Sequence, residues 1–119
     1  FAESTGYSAA ARAFISTGTK TVFDGTSTQT VAFDHGSSSL CRMVDVDVSN
    51  AVSATFTKSA YASGDLDLIA KMTVQSTTFT LAGTMTLRST GTLVNSGTVN
   101  VGGCVKEAGH TITGTDPCP

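Results

Sequence analysis

The sequence predicts an α+β, mostly β domain: a short N-terminal helix packed on an antiparallel β-meander, with a disulfide-closed C-terminal tail. Three observations predict it. Apolar residues near the start recur at helical spacing. From residue 19 the apolar period falls to two. The last stretch is turn-rich and bracketed by two cysteines.

The chain has 119 residues, a length that suits one domain, read here as 1–119. Its 39% hydrophobic content and net charge of −2 argue against disorder, which needs low hydrophobicity and high charge. Only 13% of residues are charged, while there are 21 threonines and 14 serines. The seven basic residues (Arg12, Lys20, Arg42, Lys58, Lys71, Arg88 and Lys106) are scattered and form no patch that could neutralise many phosphates. Nucleic-acid binding is therefore not expected. No apolar run approaches the roughly 20 residues that span a bilayer, so no transmembrane segment is expected.

The helical reading covers residues 1–18. Tyr7, Ala10, Ala11, Phe14 and Ile15 form one apolar stripe, with Thr5 or Ser8 as N-cap and Gly18 as the stop. A helix this short is marginal alone, so its stripe must dock on something.

Residues 19–50 read as a connecting region with a hairpin. Strands over 19–23 and 26–33 flank Asp24-Gly25, a strong turn dipeptide. A loop over 34–39 leads to a strand over 40–48. Residues 51–101 read as the antiparallel sheet, with its clearest strand at 66–74, where Leu66, Leu68, Ala70, Met72 and Val74 alternate with polar residues. Turns follow at Ser89-Thr90-Gly91 and Asn95-Ser96-Gly97. A Gly-Thr-apolar opening echoes at Gly83, Gly91 and Gly97, but at unequal intervals. A β-solenoid needs a regular rung of about 20 residues, so hairpins are the expected connection.

Residues 102–119 form the tail. Three pairings use two of the three cysteines; the expected one is Cys104–Cys118, which closes a loop of about 15 residues worth about 3 kcal/mol. Cys41 is then a small buried hydrophobe on a strand, with nothing local to lower its pKa. The chain opens at Phe1 without an initiator methionine, which suits either removal of a leader or a fragment. Export to an oxidising setting is the expectation, and it makes the disulfide plausible.

Candidate chemistry is sparse. Asp45 and Asp47, and likewise Asp65 and Asp67, put two carboxylates on one side of a strand, a spacing open to Ca²⁺ ligation or glycoside hydrolysis. The plainer reading is a solvated strand face that deters edge pairing. His35 and His110 lie in glycine-containing loops, and Cys104 to His110 is the nearest approach to metal-ligand spacing. No Gly-x-Ser-x-Gly elbow and no phosphate-cradling loop occurs. No enzyme activity, cofactor or metal is expected.

The order of elements, from the stripe at Tyr7, Ala10, Ala11, Phe14 and Ile15 through the strands to Cys104 and Cys118, resembles the globular head of a type IV pilin. That resemblance implies a structural subunit of an extracellular, cell-surface filament serving adhesion or motility. Phe1-Ala2-Glu3 is followed by polar residues instead of the family's long apolar helix. That departure suits either a head whose helix has been trimmed away or the head-only chain of a split pilin, the latter with copies of itself and a separate helical pilin subunit as partners. The stripe residues would contact the partner helix. The alternatives are a non-pilin adhesin or filament subunit assembled by strand addition, with residues 1–23 as donor. A carbohydrate-binding or hydrolytic secreted β domain is the third reading, although Tyr7, Tyr61 and six phenylalanines offer little for an aromatic platform.

Overall fold

The computed structural model describes residues 20–33 and 42–118. Twelve strands follow one another: β1 (Lys20–Phe23), β2 (Gln29–Val31), β3 (Arg42–Met43), β4 (Asp45–Val48), β5 (Ala54–Phe56) and β6 (Ala60–Ala62). Then come β7 (Leu66–Leu68), β8 (Lys71–Val74), β9 (Thr78–Leu87), β10 (Thr92–Asn95), β11 (Thr98–Lys106) and β12 (Thr111–Gly114).

Every pairing among them is parallel. Strand β4 lies between β1 and β7, and β8 between β5 and β10, so each strand pairs with those one rung away and not with its chain neighbours. The chain is a β-solenoid. Winding produces three faces. The first carries β1, β4, β7 and the C-terminal halves of β9 and β11. The second carries β3, β6 and the N-terminal halves of β9 and β11. The third carries β2, β5, β8, β10 and β12. Strand β9 turns the corner between the first two faces: Phe79–Leu81 pair with β6, while Met85–Leu87 pair with β7. The long axis measures 44 Å.

This corrects the α+β antiparallel reading. The described residues contain no helix and no antiparallel pair. Asp24-Gly25 does not close a hairpin, because β1 pairs with β4 and β2 with β5. The sheet expected over 51–101 instead begins at residue 20 and runs on through β12, inside the expected tail. The helical stripe at Tyr7, Ala10, Ala11, Phe14 and Ile15 lies outside the described residues, as do His35 and Cys41.

The physical reason for the error is that period-two alternation states which face a residue occupies, not which strand it pairs with. In a parallel stack each inward residue meets its counterpart one rung later. Ala60 lies beside Phe79, and Phe79 beside Val99. Leu66 lies beside Met85, and Met85 beside Cys104. Ala54, Met72, Leu93 and Ile112 form a third column. These columns fuse into one core in which Phe56, Phe79, Met72, Met85 and Leu87 are fully buried. Phe56 contacts Phe23 and Phe79 edge-on, with ring centroids 5.7 and 5.0 Å away. Burying one such side chain contributes about 1.5–3 kcal/mol.

Tight corners hold the rungs in register. Gly64 donates its N–H to the Val44 carbonyl at 2.9 Å, and Gly83 donates to the Gly64 carbonyl at 3.0 Å. A Cβ on Gly83 would run into the Gly64 carbonyl oxygen, and one on Gly102 into that of Ala82. Only glycine allows backbone to stack on backbone this closely. A second corner is held by Asn50, which is fully buried. Its Oδ1 accepts from the N–H groups of Val52 and Ser53 at 2.9 and 3.0 Å. Its Nδ2 donates to the Ser27 carbonyl at 2.7 Å and to Gln29 Oε1 at 3.0 Å.

Candidate functional site

The outer side of the first face carries an open cleft of about 370 Å³, lined by Lys20, Asp45, Asp47, Asp65, Asp67, Thr84, Thr86 and Arg88. Its residues come from four successive rungs. Alternation along β4, β7 and the second half of β9 buries Val46, Val48, Leu66, Leu68, Met85 and Leu87, and so turns the residues between them outward. Parallel register then stacks those outward residues into columns. Asp47 is opposite Asp67, and Asp67 opposite Thr86, at a rung spacing of about 4.8 Å.

The two aspartate pairs singled out from the sequence are thus brought together on one surface. Asp45 Oδ1 accepts the Asp65 N–H at 2.9 Å, and Asp65 Oδ1 accepts the Thr84 N–H at 2.8 Å. These two carboxylates bind backbone beside the Gly64–Gly83 corner. Asp47 and Asp67 are in-register like charges, a repulsive arrangement unless neutralised. Each has a cation: Lys20 Nζ stands 3.3 Å from Asp47 Oδ2, and Arg88 Nη2 stands 2.9 Å from Asp67 Oδ1.

Arg88 extends the network to the next rung. Its Nη1 donates to Glu107 Oε2 at 3.0 Å, while Glu107 Oε1 accepts the Ser89 N–H at 2.9 Å. The Ser89 N–H and then the Arg88 guanidinium hold the Glu107 carboxyl below its ordinary value of 4.5. The hydrogen bonds that Arg88 donates to Glu107 and Asp67 raise its pKa in return. Asp67, Arg88 and Glu107 therefore clamp three rungs together along the outside.

The chain matches no protein-family model, no curated protein and no solved structure. No family is shown. The site has to be read from its own geometry.

Most of its polar groups are engaged with one another or with backbone, which makes the face first a register lock. Four carboxylates against two cations leave the cleft acidic, and Thr84 and Thr86 add hydroxyls. Among the described residues, no group of three or more His, Cys, Asp or Glu is arranged to hold a metal ion. His110 Nδ1 lies 2.7 Å from the Glu107 carbonyl oxygen in a turn. No helix among the described residues is long and apolar enough to cross a membrane.

Cys104 and Cys118 form a disulfide, with their Cα atoms 5.5 Å apart. The pair stands at the end of the stack, and both cysteines pack against the core. Sequence reasoning found the four aspartates and both cysteines but missed Lys20, Thr84, Thr86, Arg88 and Glu107. For all of these but Lys20, the signal that would have found them is the recurrence of their partners 18–21 residues away, as in Asp65 to Thr84 and Asp67 to Arg88.

Proposed function

We propose that this chain is a structural module of an exported cell-surface assembly, a rigid β-solenoid element with no catalytic role. The observation that carries this reading is the single in-register core running through successive rungs from Phe23 to Val99. A stack of this kind resists bending because each rung's hydrogen bonds lie along the long axis. Its outer faces suit a packing role. Threonines recur in register, as in Thr78 beside Thr98 and Thr92 beside Thr111, and Lys20 and Arg88 on the first face are paired with Asp47, Asp67 and Glu107. The disulfide fits an oxidising compartment.

The filament role is carried over from the sequence reading as part of this proposal, whereas the pilin-head architecture is set aside. That likeness rested on a helix and an antiparallel meander, and the described strands are parallel. Association with a separate helical pilin rested on residues outside the described ones and is carried no further. Immunogold electron microscopy of native cells tests the proposal. Labelling along surface fibres, lost when the coding sequence is deleted together with the fibres, is the expected result. A chain confined to the cytoplasm with free thiols, or unchanged fibres after deletion, overturns it.

A second reading, carbohydrate binding, is favoured by the cleft on the first face. Carboxylates and threonine hydroxyls repeated at rung spacing can accept from and donate to the hydroxyls of a linear glycan. Glycan-array binding abolished by Asp47→Ala and Thr86→Ala would place this reading first.

A further inference from the structure

The outer side of the third face differs in chemistry from the first. On β8, β10 and β12 the side chains of Met72, Leu93 and Ile112 pack into the core, so the residues flanking each of them point outward. Parallel register stacks those outward residues into two columns. Lys71, Thr92 and Thr111 form one, and Thr55, Thr73, Val94 and Thr113 form the other. Neighbours stand about 4.8 Å apart along a column and about 6.6 Å apart along a strand. The result is a two-dimensional grid of threonine hydroxyls and methyls, in which Val94 keeps the threonine shape without the hydroxyl.

The grid is rigid and carries little charge. Ser53 Oγ is hydrogen-bonded to Thr55 Oγ1 and to Thr73 Oγ1, each at 2.9 Å. Branching at Cβ restricts χ1 further, and the fully buried Ala54, Met72 and Leu93 fix the strands beneath. Lys71 is the single charged side chain in either column, whereas Asp45, Asp47, Asp65 and Asp67 all stand on the first face. Thr111 and Thr113 are exposed, and Thr73 and Thr92 are half-buried between their rung neighbours.

We infer that this grid binds ice. Its two repeats are close to those at which water oxygens recur on a prism face of hexagonal ice. Hydroxyls at that spacing bond to lattice waters, and the methyls between them fill gaps in the water layer. A single hydroxyl gains little by holding one water. A rigid array holds many lattice waters at once with few side chains left to order, so its contacts add. Liquid water has no fixed repeat, and the array therefore favours the crystal.

Other partners fit the grid less well. Protein interfaces centre on aromatic residues, Met and Arg, and neither column holds one. A glycan surface is gripped best through an aromatic ring, and Tyr61 stands on the second face, beside Arg42 and Thr80. The inference goes beyond the packing role proposed above and is independent of the glycan reading, which concerns the first face.

Partitioning of the folded, disulfide-intact chain into a slowly advancing ice front tests it. The native chain should be enriched in the ice, while an inert protein of similar size is pushed ahead of the front. Thr92→Lys and Thr113→Lys each set a hydrated charge in the grid and should cut the enrichment about tenfold, because the array's contacts act together. Their urea midpoints should stay near the native value, which separates loss of binding from loss of fold. Asn100→Lys, at an exposed position on the second face, should leave the enrichment unchanged. Lys71→Thr completes the first column and should raise it. Exclusion of the native chain from ice overturns the inference. So does an equal loss in Asn100→Lys, no gain in Lys71→Thr, or retention on crystalline cellulose in place of ice, which would make the grid a glycan surface. Immunogold labelling bears on the filament role alone, so the two readings fail separately.

Discussion

Asp45 and Asp65 occupy equivalent places on successive rungs, and the carboxylate of the first accepts the backbone N–H of the second at 2.9 Å. Asp65 repeats the act one rung later on Thr84 at 2.8 Å. The side chain of one turn thereby sets the height of the next. Each belongs to a pair, Asp45 with Asp47 or Asp65 with Asp67, whose spacing alone suggests catalysis or cation binding, and each has this structural duty first.

Replacing Asp65 by Ala should lower stability by up to about 1 kcal/mol, because the Thr84 N–H loses its acceptor to water at an exposed corner. Asp65→Asn keeps an oxygen in place and should cost less than half as much. Thermal unfolding followed by circular dichroism compares the two.

Gly83→Ala should be more damaging. Its Cβ would meet the backbone carbonyl of Gly64, which cannot swing aside as a flexible side chain would. The corner must open and the rungs on either side lose register, at about 2 kcal/mol or more. A drop in the urea midpoint with an unchanged slope is the expected observation.

Asn50→Leu should cost about 3 kcal/mol. The substitution strands the N–H groups of Val52 and Ser53 and the carbonyl of Ser27 in or beside the core. Equilibrium urea unfolding measures the loss. Asn50→Asp, which keeps both accepted hydrogen bonds and loses both donated ones, should fall between wild type and Leu.

Acid should destabilise the end of the solenoid. Glu107 is held below its ordinary 4.5 by the Ser89 N–H and Arg88, and Asp116 below its ordinary 3.8 by Lys106 and the Cys118 N–H. Depressed carboxyl values mean that this stabilisation is fully present above the ordinary values. It is lost as pH falls below 4.5 and through the lower folded values. Melting temperature measured from pH 7 down to about pH 2 should decline most steeply in that window. Glu107→Gln should flatten part of the decline, and high salt should shrink the difference because both groups are exposed.

The alternation was legible in the sequence, the strand bounds less so. Leu66, Leu68, Met72 and Val74 are buried as expected, but the one strand read over 66–74 is two, β7 and β8 on different faces, and Ala70 at the corner between them is only half-buried. The Cys104–Cys118 pairing was legible too, because few residues separate the two in a turn-rich stretch. The candidate surface was half legible: Asp45, Asp47, Asp65 and Asp67 stood out as pairs, whereas Lys20, Arg88 and Glu107 looked like isolated charges. Their meaning depends on which rung lies next to which.

The sequence by itself determined that this protein is a hydroxyl-rich β domain with a stapled end, because alternation and turn chemistry act between near neighbours. Only the tertiary structure decided that the strands run parallel, that Gly64, Gly83 and Gly102 share one corner, and that the carboxylates of two strands make one surface. Those outcomes depend on contacts about 20 residues apart. Local periodicity carries no record of such contacts, since a hairpin and a solenoid bury the same alternating side chains and differ only in the strand placed beside them.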